Sequence, residues 1–262
     1  MIPLDLHTTH LVGGRLFPEG LIYAFEAEAR APLWDSEHVL LKDAYVGLAG
    51  HAEITPAFPR GGPTLTIAPV AFWDLRLRAW GTWYFGSFTT LIAVDDPEYA
   101  ATRENNRAEI DEGNRGWATA TRLDADTRLK GRAGPVIAVL QLQVRKLDVA
   151  ASKRDVDWYF EPSELLVVPA HGVTLHREGY LLVEAIRPAE AGDRMLRAGL
   201  YGTWSTCAAT DDESVRAGPI AAWKPGERAG VPTLYAAAQA WLVSRFEDRW
   251  TPYTLLAAEW SR

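Results

Sequence analysis

The chain has 262 residues, with 27 Lys plus Arg against 34 Asp plus Glu and a net charge of −7. That balance argues against nucleic acid as a partner, because a phosphate-binding face needs an excess of Lys and Arg. The single cysteine, Cys207, excludes an internal disulfide and a Cys-based zinc site.

Eleven tryptophans are many for this length. Indole rings are well served at a membrane interface, where one end is apolar and the other wet. No run of ~18 apolar residues occurs, so no transmembrane helix is expected. The opening Met1-Ile2-Pro3-Leu4-Asp5 has neither a basic start nor an apolar run, so no signal peptide is expected in it.

In chain order, residues 3–12 read as a short strand, with turns at Gly13-Gly14 and Pro18-Glu19-Gly20. Residues 21–33 alternate: Leu21, Tyr23, Phe25, Ala27, Ala29 and Ala31 share one face, and Glu26, Glu28 and Arg30 the other. Over 39–55, Val46, Leu48, Ala52 and Ile54 oppose Asp43, Tyr45, His51 and Glu53. The Pro- and Gly-rich 56–63 reads as a break. Residues 64–94 are too long for one strand, so a tight turn is expected near 79–81; before it, Asp74, Arg76 and Arg78 alternate with Leu75, Leu77 and Ala79. The polar segment 95–116 is the one place for a short helix, over 97–110.

The clearest strand is 122–132. Arg122, Asp124, Asp126, Arg128, Lys130 and Arg132 occupy every second position, with Leu123, Ala125, Thr127, Leu129 and Gly131 between. On a helix that spacing would scatter the charges and leave no apolar stripe. Further strands are expected over 136–147, 156–168 (bent at Pro162), 173–186, 195–207, 215–223, 233–246 and 251–260. Turns are expected at 150–154, 188–193 and 225–232. No repeat or linker divides the chain, so residues 1–262 are read as one domain.

A soluble sandwich or lipocalin-like ligand-binding barrel would also alternate. Three features favour a closed, antiparallel, all-β transmembrane barrel of about twelve strands. Many strands run 11 to 16 residues, whereas ordinary strands run about 5–6 and membrane strands need about 9–11. The apolar faces are rich in Ala, Gly and Leu, which lipid accepts and a soluble core packs poorly. Aromatics gather near strand ends, as girdles would. The inward set would then be Glu26, Glu28, Arg30, Asp43, Glu53, Asp74, Arg76, Arg78, the six charges of 122–132, Glu178, Glu184, Arg197 and Arg245. Both signs are nearly balanced, so a narrow lumen would fill with ion pairs.

The pattern over residues 20–262 resembles bacterial outer-membrane β-barrel proteins, and Tyr253-Thr254-Leu255-Leu256-Ala257-Ala258-Glu259-Trp260 is similar to their aromatic-ended C-terminal strand, although Ser261-Arg262 follows. The Arg/Ala-rich style is similar to myxobacterial envelope barrels, some of which serve gliding-motility complexes. The resemblance implies an outer-membrane location with the bilayer as a partner, and no cofactor is expected. The balanced lumen charge and the one long polar segment point to a non-enzymatic scaffold whose 95–116 segment docks envelope proteins. A narrow channel for small polar solutes is the alternative. Counting strands back from a periplasmic C-terminus would put 95–116 in the periplasm.

Nucleotide, metal-helix and nucleophile-elbow motifs are absent. His7 with His10, and His171 with His176, face opposite ways on strands, so no metal site is expected. His51 with Glu53, and His176 with Glu178, share a face. Ser205 becomes a candidate nucleophile, as in an outer-membrane lipid hydrolase, only if folding brings one of these histidines beside it.

Overall fold

A computed structural model describes residues 4–16, 20–86, 91–114, 116–151, 156–161, 164–186, 194–226, 231–246 and 251–261. Twelve strands close into one antiparallel barrel. In chain order they begin with β1 (Asp5–Leu16), β2 (Gly20–Pro32), β3 (Tyr45–Ile54), β4 (Pro59–Val70) and β5 (Trp73–Tyr84). After the short β6 (Ile92–Val94) and helix α1 (Arg103–Asp111) come β7 (Ala118–Ala133) and β8 (Val136–Ala151). Two more short strands, β9 (Trp158–Glu161) and β10 (Leu166–Pro169), precede β11 (His171–Ile186), β12 (Met195–Cys207), β13 (Asp212–Lys224), β14 (Thr233–Val243) and β15 (Pro252–Ser261). Closure is made by β1 against β15, from Thr9↔Ser261 to Leu16↔Thr254, which leaves no edge unpaired.

Period-two alternation sets the two faces. Leu48, Leu65, Leu77, Leu123, Leu129, Leu140, Leu200 and Leu256 are exposed on the outside, while Asp74, Asp124, Asp126 and Gln143 are buried inside. Outward tryptophans mark two levels. Trp83 and Trp204 stand toward one end, and Trp73, Trp223 and Trp260 toward the other. Such girdles bound the apolar band of a membrane barrel.

The ends differ. Asp5 and Ser261 lie at one, the terminal end. The connections carrying β6, α1, β9 and β10 lie at the other and fold into its mouth as a plug. There β9 pairs with both β6 (Ile92↔Phe160) and β10 (Leu166↔Glu161). The small sheet is buried on both faces. Leu91, Ala93, Tyr159, Leu166 and Val168 pack on wall residues Phe58, Tyr84, Ala120, Leu147 and Val149. Ile92, Val94, Phe160, Leu165 and Val167 pack on Trp241, Phe246 and Tyr253. Helix α1 starts at Thr102, whose hydroxyl accepts a hydrogen bond from Asn105 N at 3.2 Å.

Five expectations need correcting. The turn between β4 and β5 is at Ala71–Phe72, and 79–81 lies inside β5. The alternation of Asp74, Arg76 and Arg78 simply continues through Trp80, Thr82 and Tyr84. The break at 56–63 is shorter than expected, since β4 starts at Pro59. Gly13 and Gly14 continue β1. Residues 156–168 supply the plug rather than a wall strand, because a strand buried on both faces reads as a continuous apolar run. Removing that strand changes the parity of the count. Seven wall strands lie between 95–116 and the C-terminus, so the two are at opposite ends of the barrel. The expected Pro18–Glu19 turn, the 188–193 turn, Pro162, and parts of the 150–154 and 225–232 turns lie outside the described residues.

Candidate functional site

The lumen is built by inward side chains whose charges meet across neighbouring strands. Under the plug, the ring of Trp80 is faced by Arg60 at 4.9 Å and Arg122 at 5.3 Å. Its Nε1 donates to Asp124 Oδ2 at 2.8 Å. Asp124 also takes Arg122 at 2.9 Å and Gln143 Nε2 at 3.2 Å. Glu53 accepts from Arg60 at 2.5 Å and from His51 at 3.1 Å, and the other side of His51 meets Glu26 at 3.1 Å. Three arginines, Arg60, Arg122 and Arg145, thus converge beneath the plug.

The plug answers them with two glutamates. Glu164 pairs with Arg145 and lies 3.9 Å from Arg122. Glu161 accepts from the Tyr84 hydroxyl at 3.1 Å and from Glu164 N at 2.7 Å. Leu165 closes this turn with φ 57°, a left-handed conformation that costs a non-glycine residue of order 1–3 kcal/mol. Ion pairing and the apolar packing of Leu165 together hold it.

On the β13 side, Asp212 accepts from Val167 N at 2.8 Å. Arg245 bridges Pro97 O at 2.8 Å and Thr210 O at 3.1 Å and stands 3.5 Å from Asp212.

Nearer the terminal end, Asp74 gathers Lys130 at 2.7 Å, Arg128 at 2.9 Å and Arg76 at 3.8 Å. Arg78 pairs with Asp126 at 2.8 Å, and Glu28 with Arg30 at 2.6 Å. Glu184 takes Arg197 at 2.8 Å and also Arg132. Glu178 accepts from the Tyr201 hydroxyl at 3.1 Å.

The charges named from sequence as inward therefore lie on lumen-facing wall positions, with two exceptions. Asp43 is exposed in the 33–44 connection, because β3 does not begin until Tyr45. Arg245 is in the 244–251 connection and clamps the plug instead of lining the wall. Sequence reasoning put Arg145 on the polar face of its strand without assigning it to the lumen, and missed Trp80, Arg60, Glu161 and Glu164. Trp80 was legible from the even-number parity of β5. The glutamates were not, since only the return of the plug brings them to the wall.

Two histidines differ in setting. His51 is held between two carboxylates and stacks edge-on to Trp80 at 4.7 Å. His176 is the cross-strand partner of Ser205. Its Nδ1 lies 2.6 Å from Ser205 Oγ, and its Nε2 lies 3.9 Å from Glu178. No cluster of three or more metal-ligating side chains occurs among the described residues.

A closed barrel with an apolar, girdled outer band and an ion-paired interior is an outer-membrane β-barrel. The apolar band favours lipid over water, and lipid in turn requires a closed sheet with its charges inside, because it has no water to satisfy a sheet edge or an exposed charge. The fold is thus that of the outer-membrane β-barrel class. Among solved structures it is similar to the beta domain of the Bordetella autotransporter BrkA, at 11% identity over 98% of each chain and TM-score 0.46. It is also similar to OmpT, an outer membrane protein of Vibrio cholerae, at 8% identity over 99% of this chain and 97% of that one, TM-score 0.40. The translocator domain of the autotransporter NalP from Neisseria meningitidis aligns at 10% identity over 98% and 86%, TM-score 0.34. No protein-family model and no curated protein matches the sequence.

Proposed function

We propose that this barrel is a non-conducting scaffold of the cell envelope whose plug presents the docking face. One observation carries the reading: a folded plug fills one mouth, with its apolar core and its two glutamates continuous with the wall. Many of the interior charges face each other in pairs, as Arg78 with Asp126, Arg128 with Asp74 and Arg197 with Glu184, instead of lining an open path. The 95–116 segment does not hang free; its helix α1 buries Asn106 and leaves Glu104, Arg107 and Asp111 exposed on the outer side of the plug. Longer connections of outer-membrane barrels normally face outward. That supports a plug, and a docking face, on the extracellular side.

Planar-bilayer recording tests the closed state, since steady conductance by the intact protein refutes it. Reversing the charges of Glu104, Arg107 and Asp111 together tests docking. The barrel should still fold, and cross-linking to an envelope partner should disappear.

A second reading is favoured by the 2.6 Å contact of Ser205 and His176. In an ester hydrolase, Ser205 Oγ would add to the carbonyl carbon while His176 takes its proton and passes it to the leaving alcohol. Water would then release the acid by the reverse sequence. Labelling of Ser205 by a fluorophosphonate, lost in His176→Ala, would support this reading. A protein inert to the probe refutes it.

A further inference from the structure

The outer face carries one charge that the membrane should not tolerate. Among the described outward positions, Lys146, Asp148 and Glu213 are charged, and all three stand toward the plugged end of their strands. Asp148 is paired there with His171 at 3.1 Å and Lys146 at 3.6 Å. Arg177 is the remaining one. It lies on β11 four residues further from the plugged end than Val173, the partner of Lys146. Its neighbours in register are Leu142 and Trp204.

The guanidinium lies over the Trp204 ring, 4.2 Å from its centroid. Nη1 is out of contact with solvent and has no hydrogen-bond partner among the described residues. A cation held in this way against lipid costs several kcal/mol at mid-membrane and much less at the interface, where it meets phosphate. Trp204 belongs to the girdle at that level, so phosphate is the anion within reach.

Directly toward the membrane centre, the next outward-facing pair is Gly179↔Gly202. Both point outward, and they lie in a shallow, open notch of about 310 Å³ whose lining includes Leu181, Leu200 and Ala217. A charged, aromatic-backed headgroup contact thus sits at the top of an apolar slot.

We propose that Arg177, Trp204 and the Gly179/Gly202 notch form a binding site for one phosphate-bearing membrane lipid. The phosphate is bound by the guanidinium, and an acyl chain lies in the notch. The site is independent of the plug and of any docking partner.

The test is lipid retention and thermal stability of the detergent-solubilised barrel titrated with phosphatidylglycerol. Native mass spectrometry should show one tightly held lipid. Arg177→Gln should weaken its binding about ten- to hundredfold, the loss expected for one charge-assisted phosphate contact. Gly202→Leu should also weaken it while leaving the barrel folded. A Cβ at Gly202 meets Arg216 O at 3.5 Å and Ala217 Cβ at 3.9 Å, which is ordinary contact. Equal lipid retention by the wild type and Arg177→Gln overturns the proposal. Stabilisation by inorganic phosphate alone, unchanged in Gly202→Leu, also overturns it, because the site would then recognise a free anion and not a lipid.

Discussion

Glu164→Gln is the sharpest perturbation of the plug. It removes the charge that faces Arg145 and lies 3.9 Å from Arg122, both buried beneath the plug. Breaking a buried pair by neutralising one partner costs about 3–5 kcal/mol, because the other charge stays desolvated. Against this stands the apolar anchoring of the plug. Ile92, Phe160, Leu166 and Val167 are fully buried, and each contributes about 1.5–3 kcal/mol. The anchoring is the larger quantity, so the variant should loosen the plug without expelling it.

Hydrogen exchange reads this directly. Amides of β6 and β10 should exchange faster by about two to three and a half orders of magnitude, while those of β7 and β8 stay protected. Planar bilayers should show brief openings and no steady current. Wild-type exchange in β6 and β10 together with an unchanged denaturation midpoint would refute the assignment of Glu164 as a plug anchor.

Trp241→Ala should destabilise by about 3–5 kcal/mol in urea unfolding, since the ring is fully buried between the plug and Phe246. Asp74→Asn should cost less, about 1–3 kcal/mol in the same assay. Its partners Arg128 and Lys130 keep side-chain exposures of 26% and 40%, so water compensates part of the lost pairing. Gly199→Ala should block assembly of the heat-resistant barrel, because its Cβ would fall 1.9 Å from Leu181 O. Gly131→Ala, where a Cβ meets nothing within 4 Å, should leave gel mobility and unfolding unchanged.

Much of the wall was legible because a membrane barrel obeys one local rule. Each strand must be apolar outward, so the alternation of Arg122 through Arg132 or of Asp74 through Arg78 is visible one strand at a time. Placing a turn at 79–81 failed because Trp80 and Trp83 broke the visible polarity. Trp80 is an inward residue satisfied by Asp124, and Trp83 an outward girdle residue.

The plug was not legible for two reasons. Its strands are buried on both faces, so Leu166-Val167-Val168 carries no alternation. Its glutamates meet Arg145 and Arg122 only after the chain leaves the wall and returns into the mouth.

Local periodicity alone thus determines that this chain is a barrel of long strands, charged within and apolar without, since face is a property of each strand. Tertiary structure decides the rest. Which charges pair depends on register between strands distant in sequence, as with Arg132 and Glu184. Whether the lumen is open depends on where a connection folds. That Ser205 meets His176, and that Arg177 tops a notch between two glycines, follows from the β11–β12 register.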